Sequence, residues 1–266
     1  MTNSPVVRYL QPITVTESSS GMALIDCVYV INLDERPEKW QRMQKLLLER
    51  GIRANRFAAI NGWKLSTEAI KELMGPYHKP TMTGGNIGCY LSHFSVYKDA
   101  FERGYKLIWV LEDDADFIDD IHQIPEYIAK LTKIDHKWDI FYTDVDCRND
   151  TDGYFPFVVS EEPRKDRLLP KPFGYYSIKF LAGEGLLRLH GRYGATSMLI
   201  QRSGLKKIVE YLSQNYIATA IDCELHFIPT IHEYAPTKEI VTNLRRDAFS
   251  DTKRWSGLNS PNQENP

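Results

Sequence analysis

The sequence predicts an α/β protein: a single domain on an open, mostly parallel, twisted sheet with helices on both faces. Apolar, β-branched runs of strand length alternate with segments in which apolar residues recur every three or four positions. This alternation extends over about 200 residues, as in proteins that cover a sheet with crossover helices. The 266 residues are 42% hydrophobic and 26% charged, which excludes a collagen-like, coiled-coil or wholly disordered chain.

The first three elements form a β-α-β unit. Residues 25–33 are apolar and β-branched, as in a buried strand. A helix then begins at Pro37, whose missing N–H costs nothing in the first turn, and ends at Gly51. A second strand at 56–60 stops at the turn pair 61–62. Such a unit implies parallel pairing with a right-handed crossover.

The later elements continue the alternation. In chain order they are a helix at 86–103, a strand at 107–111, a helix at 124–133, strands at 138–142 and 196–200, and a helix at 203–211. Residues 147–185 hold Gly and Pro clusters with many Tyr and Phe, so we expect long loops there. The two ends are polar and lack a period, so we predict a flexible arm at 1–22, one domain at 23–254 and a disordered tail at 255–266.

Charge and cysteine usage exclude several classes. With 33 basic against 35 acidic residues the net charge is −2, which argues against a nucleic-acid-binding protein. The four cysteines are widely spaced with no C-x-x-C pair, so we predict them to be reduced, buried and without function, in a cytoplasmic protein. No apolar run approaches the roughly 18 residues of a membrane span, and no signal peptide is evident. Contact with the inner face of a membrane would then be peripheral.

Polar side chains follow three predicted strands at their carboxyl ends, where open α/β sheets bind their ligands. They are Asn32 to Arg36 after the first strand, Glu112, Asp113 and Asp114 after the third, and Asp144 and Asp146 after the fourth. We therefore predict the chemistry at this edge.

Adjacent carboxylates are costly unless a positive charge lies between them. A divalent cation held by one or two carboxylates and the phosphates of a nucleotide removes that cost. We predict Glu112 and Asp114 as ligands of Mn²⁺ or Mg²⁺, with Asp144 and Asp146 as the second candidate pair. The alternative for 112–120 is a solvated acidic helix start, and a turn after a strand explains 144–146 about as well.

Other candidates are single residues. Arg36 lies at a strand end, within reach of a phosphate or a uracil base, whereas the further basic residues of its helix suit a solvated face. His93 follows Ser92 on an apolar helix, where a lone histidine is more often a core residue than a ligand. P-loop, G-x-G-x-x-G and G-x-S-x-G motifs are absent, which disfavours the corresponding nucleotide-binding and hydrolase classes.

Four segments together resemble glycosyltransferase family 25, in the family's order and over about residues 27–225. They are VYVINLDERPEKWQRM, GNIGCYLSHFSVYKDAFERGYKLIWVLEDDADF, YGATSMLIQRSGLKKI and IDCEL. The family includes bacterial lipooligosaccharide galactosyltransferases and collagen galactosyltransferases. The resemblance implies a GT-A fold, a UDP-sugar donor (most often UDP-galactose), Mn²⁺ dependence and inversion to a β-linked product.

The resemblance also implies roles for individual residues. Residues 112–114 fall on the family's metal motif, and Asp222 on its downstream Asp. We take Asp222 as the general base, with Glu224 second, although a helix cap or turn explains Asp222 as readily. The donor side is assigned to Asn32, Leu33, Arg36, Ser92, His93 and Asp113. Two departures are Asn61, where the family commonly has Asp, and 147–190, which has no clear counterpart.

The predicted function is a metal-dependent, inverting transfer of a hexose from a UDP-sugar to a hydroxyl of a saccharide or glycolipid acceptor such as lipooligosaccharide. One alternative is a protein acceptor. The other is a non-catalytic module that binds a nucleotide-sugar or carbohydrate, against which the intact acids at the strand ends speak.

Overall fold

The computed structural model describes residues 4–17, 19–79, 81–147, 154–159, 163–164 and 169–243. Its strands are β1 (Cys27–Asn32), β2 (Asn55–Ala58), β3 (Leu107–Glu112), β4 (Ala115–Phe117), β5 (Ile140–Tyr142), β6 (Lys179–Gly183), β7 (Leu186–Leu189), β8 (Ser197–Gln201), β9 (Glu233–Pro236) and β10 (Val241–Asn243). Its α-helices are α1 (Pro37–Leu48), α2 (Thr67–Met74), α3 (Gly84–Glu102), α4 (Ile124–Ile134), α5 (Arg202–Gln214) and α6 (Ile221–His226).

Eight strands form one sheet in the order β2-β1-β3-β8-β5-β9-β7-β6, and β4 pairs with β10 in a separate ribbon. Pairing is parallel for β1 with β2, β1 with β3, and β5 with β9. It is antiparallel where β8 enters between β3 and β5, and through β7 and β6. The predicted α/β class is confirmed, but the mostly parallel sheet is corrected to a mixed one. Apolar runs reveal burial, not strand direction.

Both faces of the sheet are apolar and covered. In β1, Tyr29 and Ile31 belong to the core packed by α3 and α5, while Val28 and Val30 belong to the opposite core, packed by α1 and α4. This alternation follows from the two-residue period of a strand. The prediction of helices on both faces is therefore confirmed.

Residues 169–189 depart most from the sequence prediction. They carry the β6–β7 hairpin, whose first strand lies within the predicted loop region 147–185 and whose second strand follows it. Phe180 and Leu181 of β6 are 49% and 66% exposed, so this edge strand lacks the buried pattern by which the other strands were recognised. Helix α2 was also missed.

Glycines bring the loop after β2 against α3. A Cβ on Gly62 would lie 1.9 Å from the Gly84 carbonyl oxygen, and one on Gly88 would lie 2.4 Å from the Ile60 carbonyl oxygen. Only glycine permits such an approach of two backbones. The contact places residues 60–63 beside α3 at the carboxyl end of the sheet.

The segment predicted as a flexible arm packs on the domain over residues 4–17. Val6 and Ile13 are buried in the core beside α3 and α5, and the Ser4 N–H donates to the Ser213 carbonyl, at 2.9 Å. Its few apolar residues are spaced too irregularly to predict this. The predicted tail at 255–266 lies outside the described residues.

None of the helices in the described part of the chain combines the length and apolar character needed to cross a bilayer.

Candidate active site

A cleft opens at the carboxyl ends of β1, β2 and β3, bounded by the first turns of α3. It spans about 630 Å³, counting space open to solvent. Its lining residues are Ile31, Leu33, Lys39, Ala59, Ile60, Asn61, Gly62, Trp63, Gly85, Cys89, Ser92, Glu112, Asp113 and Asp114. The predicted edge of the sheet thus carries a cleft with one acidic wall and one largely apolar wall.

Asp113 is held between β1 and α1. Its Oδ2 accepts a hydrogen bond from the Asn32 side-chain amide, at 2.7 Å, and its Oδ1 lies 3.5 Å from Lys39 Nζ. Asn32 is buried, and its Oδ1 accepts from Arg56 Nε at 2.8 Å. Asn32 therefore orients Asp113 and does not itself line the cleft. Lys39 does line it, although the sequence placed the basic residues of this helix on a solvated face.

Glu112, the last residue of β3, lies against α3. Its Oε1 is 2.9 Å from His93 Nε2 and 3.7 Å from Cys89 Sγ. Burial by itself would raise the pKa of Glu112, but the hydrogen bond and charge of His93 lower that pKa below its ordinary value. His93 is fully buried, with Nδ1 3.0 Å from Tyr97 Oη. His93 thus reaches the site through Glu112.

Asp114 has the most strained electrostatic environment of the three acids. Its Oδ1 is shielded from solvent and has no hydrogen-bond partner within the described residues. Burial, with the negative charges of Glu112 and Asp113, raises the pKa of Asp114 to about 7. A carboxylate oxygen in this state is suited to a cation.

The acidic side chains of residues 112–114 suit a hard divalent cation that takes its remaining ligands from a substrate and from water. Within the described part of the chain, residues 112–114 do not converge as three ligands on one point, since the one such group is Cys89, His93 and Glu112. Asp114 offers an unpartnered oxygen, whereas Glu112 and Asp113 are partly engaged by His93 and Asn32. Hard cations such as Mg²⁺ and Mn²⁺ are often held by one or two carboxylates, with substrate phosphates and water completing the shell. The residues present meet that requirement.

Of the remaining residues predicted to bind the sugar donor, the structure places some in the cleft and one outside it. Leu33 and Ser92 line the cleft. Ser92 also joins α3 to β2, because its Oγ accepts from the Ile60 N–H at 2.8 Å. Arg36 is the N-cap residue of α1, and its Nη1 lies 3.9 Å from Glu38 Oε1. It is not among the residues that line the cleft. Trp63 and Cys89 also line the cleft but were not predicted as site residues, although Cys89 lies in one of the segments that carry the family resemblance.

The second candidate metal pair is engaged by the protein's own cations. Asp144 Oδ1 lies 2.7 Å from Arg192 Nη1, and both side chains are almost fully buried. Asp146 pairs with Lys179, and its Oδ1 accepts the Tyr193 N–H at 2.8 Å. These carboxylates brace the loop at 191–194. The structure therefore favours 112–114 over this pair as the open acidic group.

Asp144→Ala is expected to destabilise the protein by about 3–5 kcal/mol, because buried Arg192 would lose its counter-charge. Binding of UDP, the donor nucleotide that the family resemblance implies, should be unchanged in the folded variant. Urea unfolding and calorimetry measure the two effects. The matched control is Asp116→Ala. Its ion pair with Arg42 is about one-third exposed, so removing that pair should cost about 0–1 kcal/mol of stability. If Asp144→Ala lost UDP binding but kept its stability, Asp144 rather than Asp114 would be the metal ligand.

The two predicted bases lie in the short helix α6 but in different surroundings. Asp222 is half-buried, and its Oδ2 accepts from the Gly194 N–H at 2.7 Å and its Oδ1 from the Cys223 N–H at 2.9 Å. Glu224 is fully buried, with Oε1 2.6 Å from Arg164 Nη1. Burial raises the pKa of Glu224, with Arg164 opposing the shift. Glu224 is thus enclosed in an ion pair, whereas Asp222 is partly accessible.

Asp222 is not among the residues that line the cleft, but its charge acts on one of them, Cys89. The pKa of the Cys89 thiol in the cleft wall is raised well above its ordinary value, first by burial and then by the charges of Glu112, Asp222 and Asp114. Helix α6 packs against α3, which carries Cys89. Residues 108 positions apart in the chain, Asp114 and Asp222, thereby act on one thiol.

The fold and the cleft together define an α/β protein with an acidic cleft at the carboxyl ends of its parallel strands, the place where open α/β sheets bind their ligands. The chain belongs to glycosyltransferase family 25: the family model described as "Glycosyltransferase family 25 (LPS biosynthesis protein)" matches residues 25–225. The resemblance seen in the sequence is thereby confirmed.

Several relatives carry the same family name. A glycosyltransferase 25 family member of Drosophila pseudoobscura pseudoobscura is 35% identical over 121 residues, 42% of this chain and 19% of that protein. Procollagen galactosyltransferase 2 of Homo sapiens is 30% identical over 154 residues, 53% of this chain and 24% of that protein. The protein named inactive glycosyltransferase 25 family member 3 of Homo sapiens is 32% identical over 126 residues, 44% of this chain and 21% of that protein. The matched segment spans at most 24% of the length of any of these three relatives.

Proposed function

We propose that this protein is a divalent-cation-dependent, inverting glycosyltransferase that moves a hexose, galactose foremost, from a UDP-sugar to a hydroxyl of a saccharide acceptor. The observation that carries the proposal is Asp114, whose buried Oδ1 has no hydrogen-bond partner among the described residues and whose carboxyl adjoins two further acids in the cleft. A carboxylate kept in this environment is costly for folding alone. A cation shared with a diphosphate removes the cost.

Both the acidic wall and the apolar wall of the cleft contribute to binding the UDP-sugar donor. Asp114, with Glu112, would hold Mn²⁺ or Mg²⁺, which neutralises charge on the leaving UDP. Lys39 and Asn32 keep Asp113 in place beside them. Apolar surface from Leu33 and Trp63 lies in the same cleft and suits the flat face of a base or sugar.

We propose Asp222 as the general base of a single displacement. The acceptor hydroxyl gives its proton to a carboxylate oxygen of Asp222 while its own oxygen bonds to the anomeric carbon. The bond from that carbon to the UDP oxygen breaks at the same time, and UDP leaves. Attack from the face opposite UDP turns an α-linked donor into a β-linked product. Glu224 is the weaker choice because Arg164 occupies it in a buried ion pair.

Galactose is the favoured sugar because procollagen galactosyltransferase 2 of Homo sapiens and of Mus musculus are among the relatives. The family description, LPS biosynthesis protein, supports a saccharide or glycolipid acceptor, and the procollagen name supports a protein acceptor as the alternative. Because other relatives are named inactive, a non-catalytic role for this protein is the alternative to transferase activity.

Slow hydrolysis of UDP-galactose separates these outcomes without knowledge of the acceptor. We expect release of UDP with Mn²⁺, none with chelator, and slower release from UDP-glucose and UDP-N-acetylglucosamine. A non-catalytic module would bind UDP-galactose, seen as thermal stabilisation, and release no UDP. The proposal is overturned if UDP-galactose is bound in the presence of Mn²⁺ but neither hydrolysed nor transferred to any offered saccharide.

A further inference from the structure

Three potential ligands of a softer metal ion meet in the cleft wall. Cys89 and His93 are four residues apart on α3 and so lie on one face of the helix, opposite Glu112 at the end of β3. Cys89 Sγ, His93 Nε2 and a Glu112 carboxylate oxygen all lie within 4.8 Å of one another. Neither catalysis nor donor binding as proposed above uses Cys89.

The distances suit a tetrahedral ion. Zinc bonds of about 2.0–2.3 Å place neighbouring ligand atoms about 3.3–3.8 Å apart. Glu112 Oε1 is 2.9 Å from His93 Nε2 and 3.7 Å from Cys89 Sγ. The third separation, between Cys89 Sγ and His93 Nε2, is at most 4.8 Å, so the three atoms can close on one ion by small movements of their side chains.

The surroundings also suit a cation. His93 Nδ1 lies 3.0 Å from Tyr97 Oη, an outer partner of the kind that fixes the ring of a metal-bound histidine. Cys89 and Glu112 line the open cleft, which provides an entry path, and Asp113 and Asp114 add negative charge beside them. Thiolate and imidazole ligands select zinc-like ions over Mg²⁺ or Mn²⁺.

We propose that Cys89, His93 and Glu112 form a binding site for Zn²⁺ or a similar thiophilic divalent cation, distinct in ligand chemistry from the hard-cation site at Asp114. On binding, the Cys89 thiol releases its proton to solvent. His93 binds through Nε2, whose proton is also released to solvent, while its Nδ1–H is donated to Tyr97 Oη. A further consequence rests on the proposed function: zinc withdraws Glu112 from the hard-cation site and therefore inhibits transfer.

Cobalt(II) is the probe, because its bond to a thiolate gives an absorption band in the near ultraviolet. The full chain, stripped of metal, is titrated with Co²⁺; we expect the band to saturate at one equivalent and to disappear on addition of Zn²⁺. Cys89→Ser should abolish the band, while Cys223→Ser, which removes another half-buried free cysteine, should retain it. Tyr97→Phe should weaken cobalt binding about 10–100-fold.

Asp114→Asn separates the two proposals, because it should keep the cobalt–thiolate band while losing Mn²⁺-dependent UDP binding. In the unsubstituted protein, Zn²⁺ should slow alkylation of Cys89, followed by mass spectrometry, at least tenfold and leave Cys223 unaffected. Absence of the band, its survival in Cys89→Ser, or alkylation of Cys89 at an unchanged rate with zinc would each overturn the zinc site.

Discussion

Asp114→Asn is expected to abolish Mn²⁺-dependent binding of UDP. The substitution replaces a carboxylate by a neutral amide of the same shape at the one acid of the cleft whose buried oxygen has no partner in the described residues. Loss of a ligand to a cation shared with a diphosphate should remove several kcal/mol of charge stabilisation. Since about 1.4 kcal/mol is a factor of ten, the affinity should fall by at least about 100-fold. Calorimetry of UDP binding with Mn²⁺ and with chelator measures the effect.

The control is Asp120→Asn in the same acidic stretch. Asp120 is exposed, and its side chain caps a short helical turn by accepting the His122 N–H at 2.9 Å. Asparagine caps as well as aspartate, so this variant should bind UDP normally. Equal affinity of the unsubstituted protein for UDP with Mn²⁺ and with chelator would contradict a metal-dependent site at 112–114.

Asp222→Asn is expected to lower kcat by about 10²–10⁴-fold, the usual contribution of a general base, with donor and metal affinity unchanged. Such a pattern means that the lost interaction is made only in the transition state. Asparagine keeps one oxygen that can accept from the Gly194 N–H, so a purely structural role would cost about 1 kcal/mol of stability and little turnover. Steady-state kinetics with calorimetry of donor binding distinguish the two roles.

Two results would reassign Asp222. Near-normal turnover by a folded variant would pass the role of base to another acid. Loss of donor binding as well would place Asp222 on the donor side. Asp120→Asn, made with the same change of side chain, should match the unsubstituted protein in both measurements.

Much of the fold follows from local patterns in the chain. The strands at 27–32 and 107–112 and the helices from Pro37 and Gly84 differ from the predicted boundaries by only a few residues. Buried strands leave continuous apolar runs, helices leave apolar residues every three or four positions, and Pro37 marks the first turn of its helix. The hairpin at 179–189 leaves neither signal because its edge strand is partly exposed.

Sequence patterns also located the candidate site at the carboxyl ends of the strands, with Leu33, Ser92 and residues 112–114 now lining one cleft. They placed Glu112 and Asp114 first and the pair at 144 and 146 second, but Asp114 and Asp144 both follow a buried strand in an acid-x-acid pattern. The difference between them is a partner far away in the chain. Arg192, 48 residues on, neutralises Asp144, whereas Asp114 meets two like charges.

By itself, then, the sequence determined the α/β class, the helices on both faces, the family and the edge of the sheet where the acids gather. These depend on hydrophobic periods and on residues adjacent in the chain, which short segments express fully. Tertiary structure decided the mixed direction of the sheet, the burial of Glu224 against Arg164, and the meeting of Cys89, His93 and Glu112. The direction of the sheet depends on which strands pair. The other two features depend on which distant charge or donor shares a low-dielectric space, and no local pattern records either kind of information.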